Sequence, residues 1–233
     1  MSFSGQVPVD SVRRWEADQT SRLLGDTISM SESEWHAPSL LPGWTRAHVA
    51  THLSRNADAC GWAALNPRDG FGHGLSAKER FVELERGADR PGLQLQIDLD
   101  TSAGALNRCW NAVLDWSRQL RMLGGSYPLS ILPLARLHEV CVHHLDLGLG
   151  ATPDQIDPLT ASWLLRWVLH RMESEPIPEV TVFADSGLTA TIGKGGPGRH
   201  VSGTDARLWA WLSGRVGPDQ VVGADGLEFD LLG

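Results

Sequence analysis

The sequence predicts an α+β protein: a helical bundle over residues 1–150, followed by a small α+β unit over residues 151–233. Three observations carry this reading. Residues 1–150 hold successive segments with apolar side chains at helical spacing, separated by short loops, the pattern of antiparallel helices packed side by side. After Gly150 the texture changes to short β-branched runs around an Asp-Ser-Gly turn. With 42% hydrophobic and 21% charged residues among 233, the chain has the composition of an ordinary globular protein.

The elements follow in order. Asp10 or Ser11 is placed to cap a first helix running to about Ile28, with Val12, Trp15, Leu23 and Leu24 as its apolar contacts. Pro38, Pro42 and Gly43 mark a loop, and a second helix extends from Thr45 to about Leu65. Ser76 followed by Glu79 forms a capping box that opens a segment through Gly87. One long periodic pattern then covers residues 93–123, through Leu106, Cys109, Trp110, Val113, Leu114 and Trp116. Residues 130–147 form the last helix of the set, stopped by Gly148. The four main helices make an up-and-down bundle. In the second unit, Asp157-Pro158 starts a helix through Met172, with Trp163, Leu164, Trp167 and Val168 on its apolar face. Residues 180–184 and 188–192 read as a hairpin, 204–213 as a short helix and 227–231 as a last strand. Residues 194–198 are a glycine-rich loop without the Lys-Ser/Thr ending of a phosphate-binding loop.

Charge and cysteine usage exclude several function classes. Lys and Arg number 20 against 28 Asp and Glu, a formal net charge of -8. Nucleic acid and anionic membrane select basic surfaces, so neither is the expected partner. No stretch approaches the roughly 20 apolar residues of a membrane helix. Residues 1–12 lack the basic start and apolar core of a signal peptide. Three cysteines (Cys60, Cys109 and Cys141), without CxxC spacing, fit free thiols in a reducing cytoplasm.

The chemistry concentrates in residues 134–148. Glu139 and His143 are four apart and share one helix face, with Asp146 a turn further on. Leu137, Val140 and Leu147 make this a largely buried helix, where a carboxylate is costly unless paired or bound to a cation. The second helix offers a matching stripe of His48, His52 and Asn56. One imidazole from that stripe, joined to Glu139 and His143, gives a two-His, one-carboxylate set that suits zinc or ferrous iron and leaves coordination positions open. The competing reading is a satisfied core Glu-His pair without metal. Cys141 lies two positions from both Glu139 and His143 and therefore faces away from them.

Four stretches resemble the mycothiol-dependent maleylpyruvate isomerase family, within the broader DinB-like metalloenzyme superfamily. They are Leu41-Pro-Gly-Trp-Thr-Arg-Ala-His-Val-Ala-Thr-His52; Ser76-Ala-Lys-Glu-Arg-Phe-Val-Glu-Leu-Glu85; Arg136-Leu-His-Glu-Val-Cys-Val-His-His-Leu-Asp-Leu-Gly148; and Val201-Ser-Gly-Thr-Asp-Ala-Arg-Leu-Trp-Ala-Trp-Leu-Ser-Gly-Arg215. The resemblance implies a DinB-like bundle with His52, Glu139 and His143 as metal ligands. It matches Arg80 and Arg215 to arginines used at the family's active site. It also implies mycothiol as the thiol cofactor and a conjugated keto-dicarboxylate as substrate. One departure stands out: many members carry Met-Tyr ahead of the second stretch, where this chain has Gly74-Leu75, and Tyr127 is its only tyrosine.

These residue types suit such a reaction. Cis-trans isomerisation needs the double bond made temporarily single, which reversible addition of a thiolate achieves. A divalent cation favours thiolate over thiol, and two neutral imidazoles with one carboxylate leave it net positive. A further anionic ligand would weaken that, so Asp146 is expected to orient a histidine instead. Arginine forks pair with carboxylates. Two alternatives are a mycothiol S-transferase acting on electrophiles and a non-catalytic ligand-binding bundle.

Overall fold

The computed structural model describes residues 7–71, 76–173 and 175–231. The chain divides into two compact units, one over Val7–Leu149 and the other from Gly150 onward. The first contains α1 (Val9–Thr27), α2 (Glu32–Trp35), α3 (Arg46–Leu65), α4 (Ala77–Ala88), α5 (Gly92–Asn111), a hairpin of β1 (Gln119–Met122) and β2 (Gly125–Pro128), and α6 (Leu132–Asp146). The long helices close a ring in the order α1, α5, α3, α6, and α4 packs on α3. Leu23, Trp35, Val49, Leu53, Leu95, Leu99 and Val140 form much of the core at the end where α2 sits.

Local chemistry explains most helix starts. Thr45 caps α3 and Ser76 caps α4, each accepting from a backbone N–H three residues on while that residue's side chain returns to the cap. In α1 neither Asp10 nor Ser11 is the cap: the helix begins at Val9, because the Pro8 carbonyl already accepts from Ser11 and Val12 at 2.9 and 3.0 Å. Its buried face carries Glu16 and Gln19 beside Val12 and Leu23, while Trp15 is only half-buried.

The long pattern over 93–123 does not form one helix. Helix α5 ends at Asn111, and Leu114, an apolar point of the expected pattern, is 99% exposed. The chain then turns back through β1 and β2. Leu123 and Gly124 both have positive φ, 51° and 72°, as the tight two-residue turn of a hairpin requires.

The second unit holds α7 (Pro158–Met172), β3 (Val180–Ala184), β4 (Thr189–Ile192), β5 (Arg199–Gly203) and α8 (Asp205–Leu212). Asp157 caps α7 through the backbone N–H groups of Leu159 and Thr160, with Pro158 at the first helical position. Strand β3 is central, antiparallel to β4 and parallel to β5. β5 was not anticipated, since only Val201 of its five residues is buried. Conversely, residues 227–231 form no strand: Leu227 accepts from Trp211 Nε1 at 3.2 Å and Phe229 packs edge-on against Trp211, so this segment covers α8 by side-chain contact. Among the described residues no helix is long and apolar enough to cross a membrane.

Candidate metal centre

The site is built on α3 and α6 of the first unit. Every residue of α6 except Ala135 and Glu139 is buried, so Glu139 is the one carboxylate of that helix with an outlet towards solvent. Arg46 Nε donates to the Leu147 carbonyl at 2.7 Å, pinning the start of α3 to the end of α6. Two turns in from that junction, His52 meets Glu139, with its Nε2–H donating to Glu139 Oε2 at 2.9 Å. The same carboxylate oxygen lies 3.5 Å from His143 Nε2, and the two imidazole rings stand edge to face with centroids 4.6 Å apart. One ligand atom from each of His52, Glu139 and His143 falls within 4.8 Å of the others.

Neighbouring groups hold these side chains in place. His143 Nδ1–H donates to Asp146 Oδ2 at 2.8 Å, which turns Nε2 toward Glu139. Asp146 is itself buried and stands outside the cluster. The Trp44 ring, in the loop before α3, stacks against His143 at 17° and lies 5.6 Å from His52. His48 has a different task from His52. Its Nδ1 accepts from the Thr45 backbone N–H at 3.2 Å as part of the α3 cap, and its Nε2–H points at Glu85 of α4, 3.3 Å away. The cap therefore occupies one imidazole of the α3 stripe and leaves the other to the cluster. Asn56, the third member of the stripe, accepts from Arg136.

The protonation balance follows from this packing. Burial alone would raise the Glu139 carboxyl, but hydrogen bonds from His143 and His52 outweigh it and hold it well below the usual carboxylate range. Burial lowers His52, only partly offset by its bond to Glu139. For His143 burial acts downward too, yet the bonds to Asp146 and Glu139 win and raise it. Cys141 and Cys60 are both buried, and desolvation pushes both thiols up, Cys60 to about 12, so neither is poised as a thiolate nucleophile.

The donor set fits a divalent cation. Two imidazole nitrogens and one carboxylate oxygen converge, one imidazole is oriented by a buried carboxylate, and no fourth protein anion intrudes among the described residues. The two expected arginines stand on separate units. Arg80 is exposed near the start of α4, while Arg215 follows α8 and Gly214, its Nη1 donating to the Ser213 carbonyl at 2.6 Å. Gly74 and Leu75 lie outside the described residues. Trp44 and Arg136 were not singled out by spacing; the Pro-Gly-Trp run ahead of the Thr45 cap was the available signal for the first.

Fold and cluster together define a helical-bundle protein with a two-His, one-carboxylate site. The sequence model for the Mycothiol maleylpyruvate isomerase N-terminal domain matches residues 15–148, more than half of the chain, and the chain belongs to that family. Among solved structures, a crystal structure of the mycothiol-dependent maleylpyruvate isomerase superposes with a TM-score of 0.84. That of an H52A mutant of the enzyme superposes with a TM-score of 0.83. Each is 24% identical to this chain, and each match covers 97% of this chain and 96% of the other. The likeness extends through both units and establishes the fold. No curated protein matches significantly.

Proposed function

We propose that this protein is a metal- and thiol-dependent cis-trans isomerase acting on maleylpyruvate or a similar conjugated keto-diacid, with mycothiol as the thiol. The observation that carries the reading is the convergence of His52, Glu139 and His143 in a chain of the isomerase family. In this reading those three side chains hold a divalent cation, zinc by preference for the donor set. When bound, the cation supplies positive charge that favours thiolate over thiol. The thiolate in turn supplies a nucleophile whose reversible addition to the substrate alkene leaves a single bond free to rotate.

The chain's own residues prepare that chemistry. Asp146 fixes the His143 ring with its Nδ1 proton held, leaving Nε2 as the donor. Glu139 stays ionised because both imidazoles stabilise its charged form. The Trp44 ring stacks on His143 and packs beside His52, limiting how the two imidazoles can turn. Arg80 and Arg215 bind the substrate carboxylates through paired hydrogen bonds and stabilise the enolate charge that develops on addition. Three free cysteines accord with a reducing cytoplasm, where a low-molecular-weight thiol stays reduced.

The test is direct. Purified protein loaded with zinc, mixed with mycothiol and maleylpyruvate, is followed for the trans isomer. Turnover with mycothiol recovered unchanged supports the reading; a correctly loaded protein that gives no trans product refutes it. One observation favours a second reading. Gly74-Leu75 stands in the sequence just ahead of the Ser76 segment, where many family members have Met-Tyr. If that alters the substrate, the same site transfers mycothiol to electrophiles, and a thiol conjugate accumulates as the end product.

A further inference from the structure

Beneath the cluster lies a buried charge pair that the proposed reaction does not use. Arg136 sits on α6 three residues before Glu139 and is 3% exposed. Its Nε lies 3.4 Å from Glu16 Oε1 on α1. Its Nη1 donates to the Leu53 carbonyl at 2.8 Å and to Asn56 Oδ1 at 2.9 Å, both on α3. Leu53 follows His52 directly, and Asn56 is one turn further along. A single guanidinium therefore ties the turn of α3 that bears His52 to the turn of α6 that leads into Glu139. Glu16 is also 3% exposed and accepts from Thr20 Oγ1 at 3.0 Å.

Stability does not by itself explain such a pair. Removing two charges from water costs several kcal/mol per ion, and apolar residues of similar volume often serve as well or better. The best-attested use of buried polar groups is to specify register. Register matters here more than elsewhere in the bundle. Two helices packed through apolar side chains tolerate small shifts, whereas metal ligands must converge to within roughly 0.2 Å. Arginine suits the task because its rigid planar fork fixes its acceptors relative to its own helix.

We infer that Arg136 is a positioning residue for the ligand cluster: by holding Leu53 O and Asn56 Oδ1 it sets the register of α3 on α6 that brings His52 to Glu139, with Glu16 as its buried counter-charge. The inference rests on the metal reading above. It is tested on the full chain with cobalt(II) as the probe, reading affinity from visible absorption, ligand geometry from the band shape at saturation, and the unfolding temperature of the metal-free protein. The charge-free variant Glu16→Leu/Arg136→Met is expected to melt within a few degrees of the parent. It should nevertheless bind cobalt at least about tenfold more weakly, with altered bands. Arg136→Lys keeps the charge without the fork and is expected to leave affinity lowered. Parent affinity and an unchanged band shape in the charge-free variant would overturn the inference. Should that variant fail to fold, Asn56→Ala decides, since it removes one acceptor and leaves the charge pair intact. A several-fold loss of affinity supports the inference, and parental affinity overturns it. A parent chain that binds no cobalt refutes the metal reading itself and takes the inference with it. Tight binding shared equally by parent and variants refutes the inference alone.

Discussion

Helices α6 and α8 are both buried along most of their length, yet they bury different things. Helix α8 encloses Leu208, Trp209, Trp211 and Leu212, and its one buried charge, Asp205, sits in the first turn, where it takes the Ser186 hydroxyl at 2.7 Å. Helix α6 encloses Arg136, His138, His143, His144 and Asp146 along with its leucines and valines. Apolar burial is its own reward, about 25 cal/mol per Å². Buried imidazoles and carboxylates carry a desolvation cost that only partners can offset. His143 has Asp146 and Glu139, His144 has Asp26, and Arg136 has Glu16 and α3. The contrast separates a helix that serves as framework from one that carries the candidate site.

Substitutions on the two helices should therefore fail in different ways. Trp209, fully buried on α8, has a framework role, and Trp209→Ala should cost about 3–5 kcal/mol in denaturant unfolding. Metal content per folded chain should stay at the parental level; a matching loss of metal would erase the distinction. His52→Ala should do the reverse. Elemental analysis and cobalt titration should show affinity reduced by more than the ~100-fold that marks the upper end for outer-shell partners. The unfolding midpoint of the metal-free protein should move little.

Asp146→Asn removes the acceptor that orients His143 and should weaken metal binding by ~10–100-fold. It also carries a pH signature. Burial lowers the His143 pKa, but the bonds to Asp146 and Glu139 raise it overall, so in the metal-free protein a proton competes with the metal at higher pH than for a free imidazole. Cobalt affinity should thus fall as pH drops toward about 6.5, the ordinary imidazole value. In the Asp146→Asn variant that fall should shift to lower pH; an unchanged profile would mean that Asp146 does not govern the ring.

Smaller effects probe what surrounds the site. A Cβ at Gly87 would clash with the Thr51 side chain of α3, so in Gly87→Ala either that side chain or α4 must shift beside His52, at about 1–3 kcal/mol. Thr204→Ala removes only the α8 cap and should cost about 1 kcal/mol in thermal unfolding, with the metal untouched.

Much of this was legible in the sequence, for reasons that differ by element. The capping box at Ser76 and the Asp157-Pro158 start declare themselves because the orphan N–H groups of a helix start need such partners. Periodicity misled at residues 113–123, where apolar residues continued the helical spacing although Leu114 ended in solvent and the chain reversed at Leu123-Gly124. Hydrophobic spacing recognises α1 through Val12 and Leu23 but misses part of its buried face, Glu16 and Gln19, because buried polar residues look exposed until their partners are known. At the site, spacing recognised Glu139 with His143 but left His48 and His52 open. The resemblance implied His52, and the structure supplies a physical reason: His48 is committed to the Thr45 cap. Arg136 stayed hidden because its partners, Glu16 and Asn56, lie 120 and 80 residues away in sequence.

Anomalous diffraction from crystals soaked with zinc, collected on both sides of the zinc absorption edge, tests the central claim most directly. The account predicts one strong peak bonded to His52 Nε2, a Glu139 carboxylate oxygen and His143 Nε2. A peak seated elsewhere, or none between these three side chains, would contradict it.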